Sequence, residues 1–177
     1  MADKKQQGLV QVFTGNGKGK TTAALGAVLR AAGHDWKIYI VFFFKGKRDS
    51  GEFTSLSKFP NVVLSRFGLR PFADPADITP TEKEQARRAL AAASEAVTSG
   101  RYDLVVLDEV NVALDYKLVS LDDVLRLVRE KPSHVELILT GRHADNRLLE
   151  AADLVTEMVK VKHPFDKGIK ARKGIEY

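Results

Sequence analysis

Cysteine is absent from all 177 residues, and this absence excludes several kinds of chemistry together. Without thiols the chain has no disulfide, no cysteine-ligated zinc or iron–sulfur site and no thiol nucleophile. Long apolar runs are also missing, since no stretch approaches the roughly 20 residues that cross a bilayer, and residues 1–7 contain no signal-like apolar core. We therefore expect a cytoplasmic protein that makes no membrane contact.

Two other signatures are missing. The four histidines, His34, His134, His143 and His163, have no metal-ligand spacing, and no Gly-x-Ser-x-Gly nucleophile elbow occurs. The chain carries 28 Lys and Arg against 23 Asp and Glu, a net charge of +5, yet no dense basic run includes interleaved aromatics. We predict no nucleic-acid partner, whereas a polyphosphate or a ligand with carboxylates fits this charge.

Apolar stretches of strand length alternate with segments of helical period, and the length suits one domain. This alternation is typical of βαβ units in a parallel sheet that is buried on both faces. The predicted strands are residues 9–14, 37–44, 62–65, 104–108, 135–140 and 154–161. The predicted helices are residues 20–32, 80–99 (with Thr79 as N-cap and Pro80 first) and 121–131. Residues 45–57 and 66–77 show no clear period, and loops of this kind often hold ligands.

A glycine-rich stretch follows the first strand and opens the first helix, as a phosphate-binding loop must. Thr14 stands where the usual first glycine of this pattern would be, and Gly15 follows it directly. Such a loop aims backbone N–H groups at phosphate, while Lys20 adds a charge and Thr21 offers a magnesium ligand. The alternative is an ordinary glycine-rich turn. We predict a triphosphate site, with Mg-ATP as ligand, formed by Gly15, Asn16, Gly17, Lys18, Gly19, Lys20, Thr21 and Thr22.

Two later strands end in charged residues. Residues 104–107 are apolar and lead into Asp108 and Glu109, which beside a phosphate loop predict a magnesium site formed with Thr21. Another apolar strand ends at Thr140-Gly141-Arg142, where an arginine neutralises phosphate, anchors a ligand amide or hydroxyl, or simply faces solvent. Together these patterns predict an α/β fold: a three-layer P-loop NTPase-like (RecA-like) architecture with a mostly parallel sheet and helices on both faces.

The chain resembles the P-loop type of ATP:corrinoid adenosyltransferase over nearly its full length. The resemblance rests on FTGNGKGKTTAALG (13–26), RAAGH (30–34), LVVLDEVNVALDY (104–116), LILTGRHA (137–144), ADLVTEM (152–158) and VKHPFDKGIKARKGIEY (161–177). The last block is the most specific, since ordinary P-loop ATPases contain nothing similar. The resemblance implies one domain over residues 1–177, with residues 162–177 near the active site.

The resemblance also implies an activity and partners. The family transfers the 5′-deoxyadenosyl group of ATP to Co(I) of a reduced corrinoid and releases triphosphate, with Mg2+, an electron-donating reductase or flavodoxin, and a homodimer. Carried over by matching positions, Lys20, Thr21 and Glu109 act in catalysis. Arg30 and Glu109 are candidates for the ribose, Arg142 for phosphate, and Phe67 or Phe72 for the lower face of the corrinoid. A P-loop phosphotransferase or ATPase releasing ADP is the alternative.

Overall fold

The computed structural model describes residues 7–46, 50–69 and 78–177. It contains a six-stranded sheet of order β3-β2-β4-β5-β1-β6 in which every neighbouring pair is parallel. The strands are β1 (Val10–Thr14), β2 (Ile38–Phe42), β3 (Val62–Arg66), β4 (Leu104–Asp108), β5 (Glu136–Thr140) and β6 (Leu154–Glu157). All six predicted strands are confirmed, but β2 and β6 are shorter than predicted. β6 ends at Glu157 because β1, its ladder partner among the described residues, ends opposite it at Thr14.

Six α-helices connect and cover these strands: α1 (Lys20–Ala32), α2 (Gly51–Leu56), α3 (Pro80–Thr98), α4 (Val110–Asp115), α5 (Leu121–Glu130) and α6 (Asn146–Ala151). A short 3-10 helix follows at Pro164–Lys167. The predictions of α1, α3 and α5 are confirmed to within a residue at each end. The sequence analysis missed α2, α4 and α6, because six residues make fewer than two turns and show no helical period.

The N-terminus of α3 has the predicted cap. The Thr79 hydroxyl accepts from the Glu82 backbone N–H at 3.3 Å, while the Glu82 carboxylate accepts from the Thr79 backbone N–H at 2.8 Å. Pro80 occupies the first turn, where a missing N–H costs nothing. This reciprocal capping box fixes where the helix starts.

The sheet is the middle one of three layers. Within β4, Val105 and Leu107 join the core under α3, α4, α5 and α6, whereas Leu104 and Val106 join the core under α1 and α2. Burial on both faces explains why β4 is apolar until it reaches Asp108. The predicted three-layer α/β architecture is therefore confirmed. No helix in the described ranges is long and apolar enough to cross a membrane.

The strand order decides which loops meet. β5 lies between β4 and β1, so the acidic end of β4 and the phosphate loop after β1 are two strand spacings apart, roughly 10 Å. Both lie at the carboxyl edge of the sheet, together with the turn after β5. This edge is where open parallel sheets bind ligands.

Candidate functional site

The loop between β1 and α1 has the backbone of a phosphate loop. Gly15 and Gly19 adopt φ angles of 90° and 118°, which favour glycine, and α1 begins directly after Gly19. The carbonyl of Met158, just beyond β6, accepts a hydrogen bond from the Gly17 N–H at 2.6 Å. The segment after β6 thus closes one side of the loop, which sequence reasoning did not foresee.

The Lys20 side chain lies across its own loop. Its ammonium donates to the carbonyl oxygens of Gly15 and Gly17, both at 2.7 Å, and only 7% of the residue is exposed. Burial lowers the pKa of Lys20, Glu109 and Asp108 oppose that effect, and Arg142 adds to it. A cation is therefore held where phosphates would meet the N-terminus of α1.

Asp108, the last residue of β4, connects α1 and β5 at the edge of the sheet. Its Oδ1 accepts hydrogen bonds from the hydroxyls of Thr21 and Thr140, each at 2.8 Å, and the residue is 1% exposed. Its Oδ2 lies 3.2 Å from Lys45 Nζ in an ion-pair contact, yet it accepts no hydrogen bond from the described residues. One carboxylate oxygen is thus fixed by hydroxyls, and the other retains capacity for a cation.

Glu109 is held in an unusual backbone conformation at the end of β4. Its φ is 66°, in the left-handed region that non-glycine residues rarely adopt, and its backbone N–H donates to the Thr140 hydroxyl at 2.9 Å. Burial and then the neighbouring Asp108 raise the pKa of Glu109 to about 7, although Lys20, Lys45 and Arg142 act in the opposite direction. Its buried Oε2 has no hydrogen-bond partner among the described residues. Local strain together with a perturbed carboxyl is typical of a functional position.

The turn after β5 brings Arg142 to the same edge. Gly141 has a φ of 133°, and a Cβ there would lie 2.9 Å from the Asn111 Cβ and 3.0 Å from the Val112 nitrogen. This turn therefore packs against the start of α4 and requires glycine. Arg142 is exposed, and its charge acts on the pKa of both Lys20 and Glu109, so it belongs to this charged cluster.

Other predicted site residues lie apart from this cluster. Arg30 is exposed in the last turn of α1, ten residues and roughly 15 Å along the helix from Lys20. Phe67 follows β3, four strand spacings or roughly 19 Å from β1, and is half-buried against the core. Phe72 lies outside the described residues. Asn16 and Lys18 in the loop and Thr22 in the first turn of α1 are exposed.

Sequence reasoning missed Lys45 as a site residue. It follows the apolar β2, whose Phe42 pairs with Asp108 across the sheet, and its ammonium contacts both Asp108 and Glu52, the latter at 3.1 Å. Burial lowers the pKa of Lys45, but these two carboxylates outweigh it and raise the pKa above its usual value. The signal was available, because a charged residue directly after a buried strand also marked Asp108 and Arg142.

The donor set suits a hard cation. Among the described residues, no three His, Cys, Asp or Glu side chains gather as metal ligands. The Thr21 hydroxyl nevertheless donates to Asp108, and the buried Asp108 Oδ2 and Glu109 Oε2 accept no hydrogen bond from the described residues. A magnesium ion that takes its remaining ligands from phosphates and water needs only such a partial set.

Two concave regions occur among the described residues. A cavity of about 790 Å³ between α3 and α5 is lined by Arg87, Lys117 and Arg126, among others, but by none of the predicted site residues. A narrow apolar cleft lined by Phe44, Leu69 and Tyr116 adjoins the segment after β3. The second cleft extends the site away from the phosphate loop along the same edge of the sheet.

Comparison with known proteins gives the same family as the resemblance found in the sequence. The model of the family described as ATP:corrinoid adenosyltransferase BtuR/CobO/CobP matches residues 6–177. The chain is 38% identical to a corrinoid adenosyltransferase of Pseudomonas aeruginosa over 174 residues, which cover 98% of this chain and 86% of that protein. It is 37% identical to the corrinoid adenosyltransferase of Escherichia coli K12 over 172 residues, which cover 97% and 87% of the two chains.

A solved structure supports the fold alone. The flagellar accessory protein FlaH from Methanocaldococcus jannaschii superposes with a TM-score of 0.56 at 11% identity, covering 85% of this chain and 71% of that one. This likeness agrees with the α/β fold described above. At such low identity it carries no information on activity.

Proposed function

Because the chain belongs to the ATP:corrinoid adenosyltransferase family, we propose that it transfers the 5′-deoxyadenosyl group of ATP to the Co(I) of a reduced corrinoid. The Co–C bond forms as the bond between C5′ and the triphosphate oxygen breaks, and inorganic triphosphate leaves with the bonding electron pair. The observation that carries the proposal is a phosphate loop beside the Asp108–Glu109 pair in a chain that matches the family over residues 6–177. The family match does not favour a phosphotransferase that releases ADP.

The chemistry requires positioning more than proton transfer. Co(I) is a strong nucleophile, and attack at carbon needs no activated water, so the protein must align C5′ with cobalt and stabilise the departing charge. The loop residues Gly15 to Thr22 bind the triphosphate through backbone N–H groups, and Lys20 moves from its own carbonyls to phosphate oxygens. Arg142, which already acts on Lys20 electrostatically, supplies a second cation for the leaving group.

We infer that Mg2+ is held at the end of β4. Thr21 and Asp108 are assigned as its protein ligands, with Glu109 as a third, because both carboxylates keep an oxygen without a hydrogen-bond donor. When bound, the ion neutralises charge on the triphosphate. Glu109 has a second assignment, to the ribose hydroxyls together with Arg30.

The corrinoid is assigned to the other half of the sheet edge. The support is the apolar surface there, with the half-buried Phe67 and the cleft of Phe44, Leu69 and Tyr116. An apolar surface favours a corrinoid that has lost its polar lower ligand. Phe72 keeps its sequence-based assignment to the same surface.

Further assignments concern partners. A reductase or flavodoxin supplies the electron that forms Co(I), and the reaction takes place in the cytoplasm, where ATP is abundant. A homodimer is supported by exposed apolar residues on the edge strand β6 and directly after it, namely Leu154, Val155, Val159 and Val161, which are 40–84% exposed. Exposed apolar residues on an unpaired strand edge are typical of protein contacts.

The test is an anaerobic incubation of the purified protein with Mg-ATP and chemically reduced cob(I)alamin. We expect light-sensitive adenosylcobalamin and triphosphate in equal amounts, and loss of both in Lys20→Ala. Arg88→Ala, a substitution on the solvent face of α3, is the matched control and should retain activity. Unchanged corrinoid with accumulating ADP would show instead that the protein is a phosphotransferase or ATPase.

A further inference from the structure

Residues 172–177 fold into a tight loop around one carboxylate. Glu176 Oε2 accepts from the backbone N–H and Nε of Arg172 at 2.7 and 3.2 Å, and Oε1 accepts from Arg172 Nη2 at 3.0 Å. The Glu176 N–H in turn donates to the Arg172 carbonyl at 2.9 Å. The side chain of Glu176 is therefore oriented by its own loop.

This oriented carboxylate reaches the phosphate loop. Lys18 Nζ donates to Glu176 Oε1 at 2.8 Å and approaches the Ile175 carbonyl at 3.5 Å. Lys18 stands between Gly17 and Gly19 in the glycine-rich loop, and its side chain is 44% exposed. Among the described residues, Glu176 is the only acidic group paired with a cation of this loop.

Hydrogen bonds from Arg172 and Lys18 hold the pKa of Glu176 well below its usual range. The carboxylate is consequently ionised at every pH at which the protein would work. The Glu176 carboxylate contacts the Lys18 ammonium as a phosphate oxygen would in a phosphate loop with bound ligand. Both side chains keep partial solvent exposure, 44% for Lys18 and 21% for Glu176, so the strength of the pair is modest.

We propose that Glu176 competes with the triphosphate for Lys18, so that the 172–177 loop positions this lysine when the phosphate loop is empty and yields it when polyphosphate binds. This inference rests on the proposed function, in which triphosphate is the product. A product with several negative charges, held by Lys18, Lys20 and Arg142, leaves slowly unless a protein anion takes back part of that charge. Glu176 is a positioning residue that acts through Lys18 and thereby promotes product release.

The test measures binding of inorganic triphosphate in the presence of Mg2+ by titration calorimetry. Glu176→Gln keeps the size of the side chain and removes its charge, and we expect it to bind triphosphate about two- to fivefold more tightly than wild type. A contact that merely supported the loop would give weaker or unchanged binding when removed. Asp166→Asn is the matched control, since Asp166 pairs with Lys160 at 2.9 Å in the same part of the chain but makes no contact with the phosphate loop.

A double-mutant cycle isolates the pathway through Lys18. In the Lys18→Ala background, Glu176→Gln should change triphosphate affinity by less than about 1.5-fold, because the competition has been removed. The inference is overturned if Glu176→Gln weakens binding, leaves it unchanged, or tightens it equally with and without Lys18. Absence of measurable triphosphate binding in the wild-type protein also overturns it.

The two proposals fail in different measurements. If wild type forms adenosylcobalamin but Glu176→Gln leaves triphosphate affinity unchanged, the adenosyltransferase function stands and the competition is wrong. If the affinity tightens as expected but no adenosylcobalamin forms, the competition stands and the assigned reaction is wrong.

Discussion

The backbone of the glycine-rich loop lies very close to the backbone of the segment after β6. A substitution that adds one methyl group to the loop tests whether this close contact is required. A Cβ on Gly17 would lie 2.6 Å from the Met158 carbonyl oxygen and 2.8 Å from that of Val159. Because both obstacles are backbone atoms, Gly17→Ala forces the loop away from the segment after β6. The hydrogen bond from the Gly17 N–H to the Met158 carbonyl, at 2.6 Å, is then strained or lost.

The size of this effect follows from the contacts. Overpacking costs about 1–3 kcal/mol and a lost backbone hydrogen bond about 1 kcal/mol, so we expect the free energy of unfolding to fall by about 2 kcal/mol. In a chain of this length, that lowers the melting temperature by roughly 4–8 °C. Because the displaced loop is the proposed triphosphate site, ATP affinity should fall at least about tenfold.

Gly26→Ala provides the matched control. Gly26 lies within α1, and a Cβ there meets no atom within 4 Å. The same substitution at this position should stabilise the helix by about 0.5–1 kcal/mol and leave ATP binding intact. Thermal melts and calorimetric titration with ATP measure both variants. Wild-type melting and wild-type ATP affinity in Gly17→Ala would refute the reasoning.

Three further predictions concern the charged cluster. Lys45→Met leaves the 1% exposed Asp108 without its cation and should lower the free energy of unfolding by about 3 kcal/mol. In an Asp108→Asn background the same substitution should lower it by under about 1 kcal/mol. If urea denaturation gives the same loss in both backgrounds, the prediction is wrong. The pKa of Glu109, about 7 when folded against 4.5 otherwise, means that the folded state retains the proton more tightly, so stability falls as pH rises from about 4.5 to 7. In metal-free thermal melts, the stability of Glu109→Gln should therefore match that of wild type near pH 4 and exceed it at pH 8 by up to about 3 kcal/mol. If the stabilities of the two proteins change equally with pH, the pKa of Glu109 is normal. Thr21→Val should weaken Mg-ATP binding about tenfold, while Thr21→Ser should bind with nearly wild-type affinity. The reason is that only serine retains the hydroxyl that donates to Asp108 at 2.8 Å. Equal Mg-ATP affinities of the two variants would exclude a role for the hydroxyl.

The long helices could be predicted because each contains several repeats of the helical period. The helices α1, α3 and α5 have ten residues or more and show a repeating buried face, and the cap of α3 was visible as Thr79-Pro80 with Glu82 behind it. The central strands β4 and β5 could be predicted because burial on both faces makes them mostly apolar. The short helices α2, α4 and α6 were missed because tertiary packing, rather than periodicity, forms them.

The site residues likewise include some that the sequence predicted and some that it did not. The phosphate loop and the Asp108–Glu109 pair were predicted because their residues are adjacent in sequence and have a recognisable pattern. Lys45 was missed, although the apolar β2 before it gave the same signal. The contacts of Met158 with Gly17 and of Glu176 with Lys18 had no local signal, since the partners are more than 100 residues apart.

The sequence by itself therefore determined the parallel α/β class, the glycine-rich loop between β1 and α1, and the acidic end of β4. Each of these depends on near neighbours in the chain, through backbone freedom at glycine, apolar runs and helix caps. Tertiary structure decided which loops meet, because the strand order inserts β5 between β4 and β1 and brings Thr140 and Arg142 between the acids and the phosphate loop. It also set the pKa of Glu109 and the pairing of Lys18, since desolvation and charge pairing depend on distances that only the folded chain fixes.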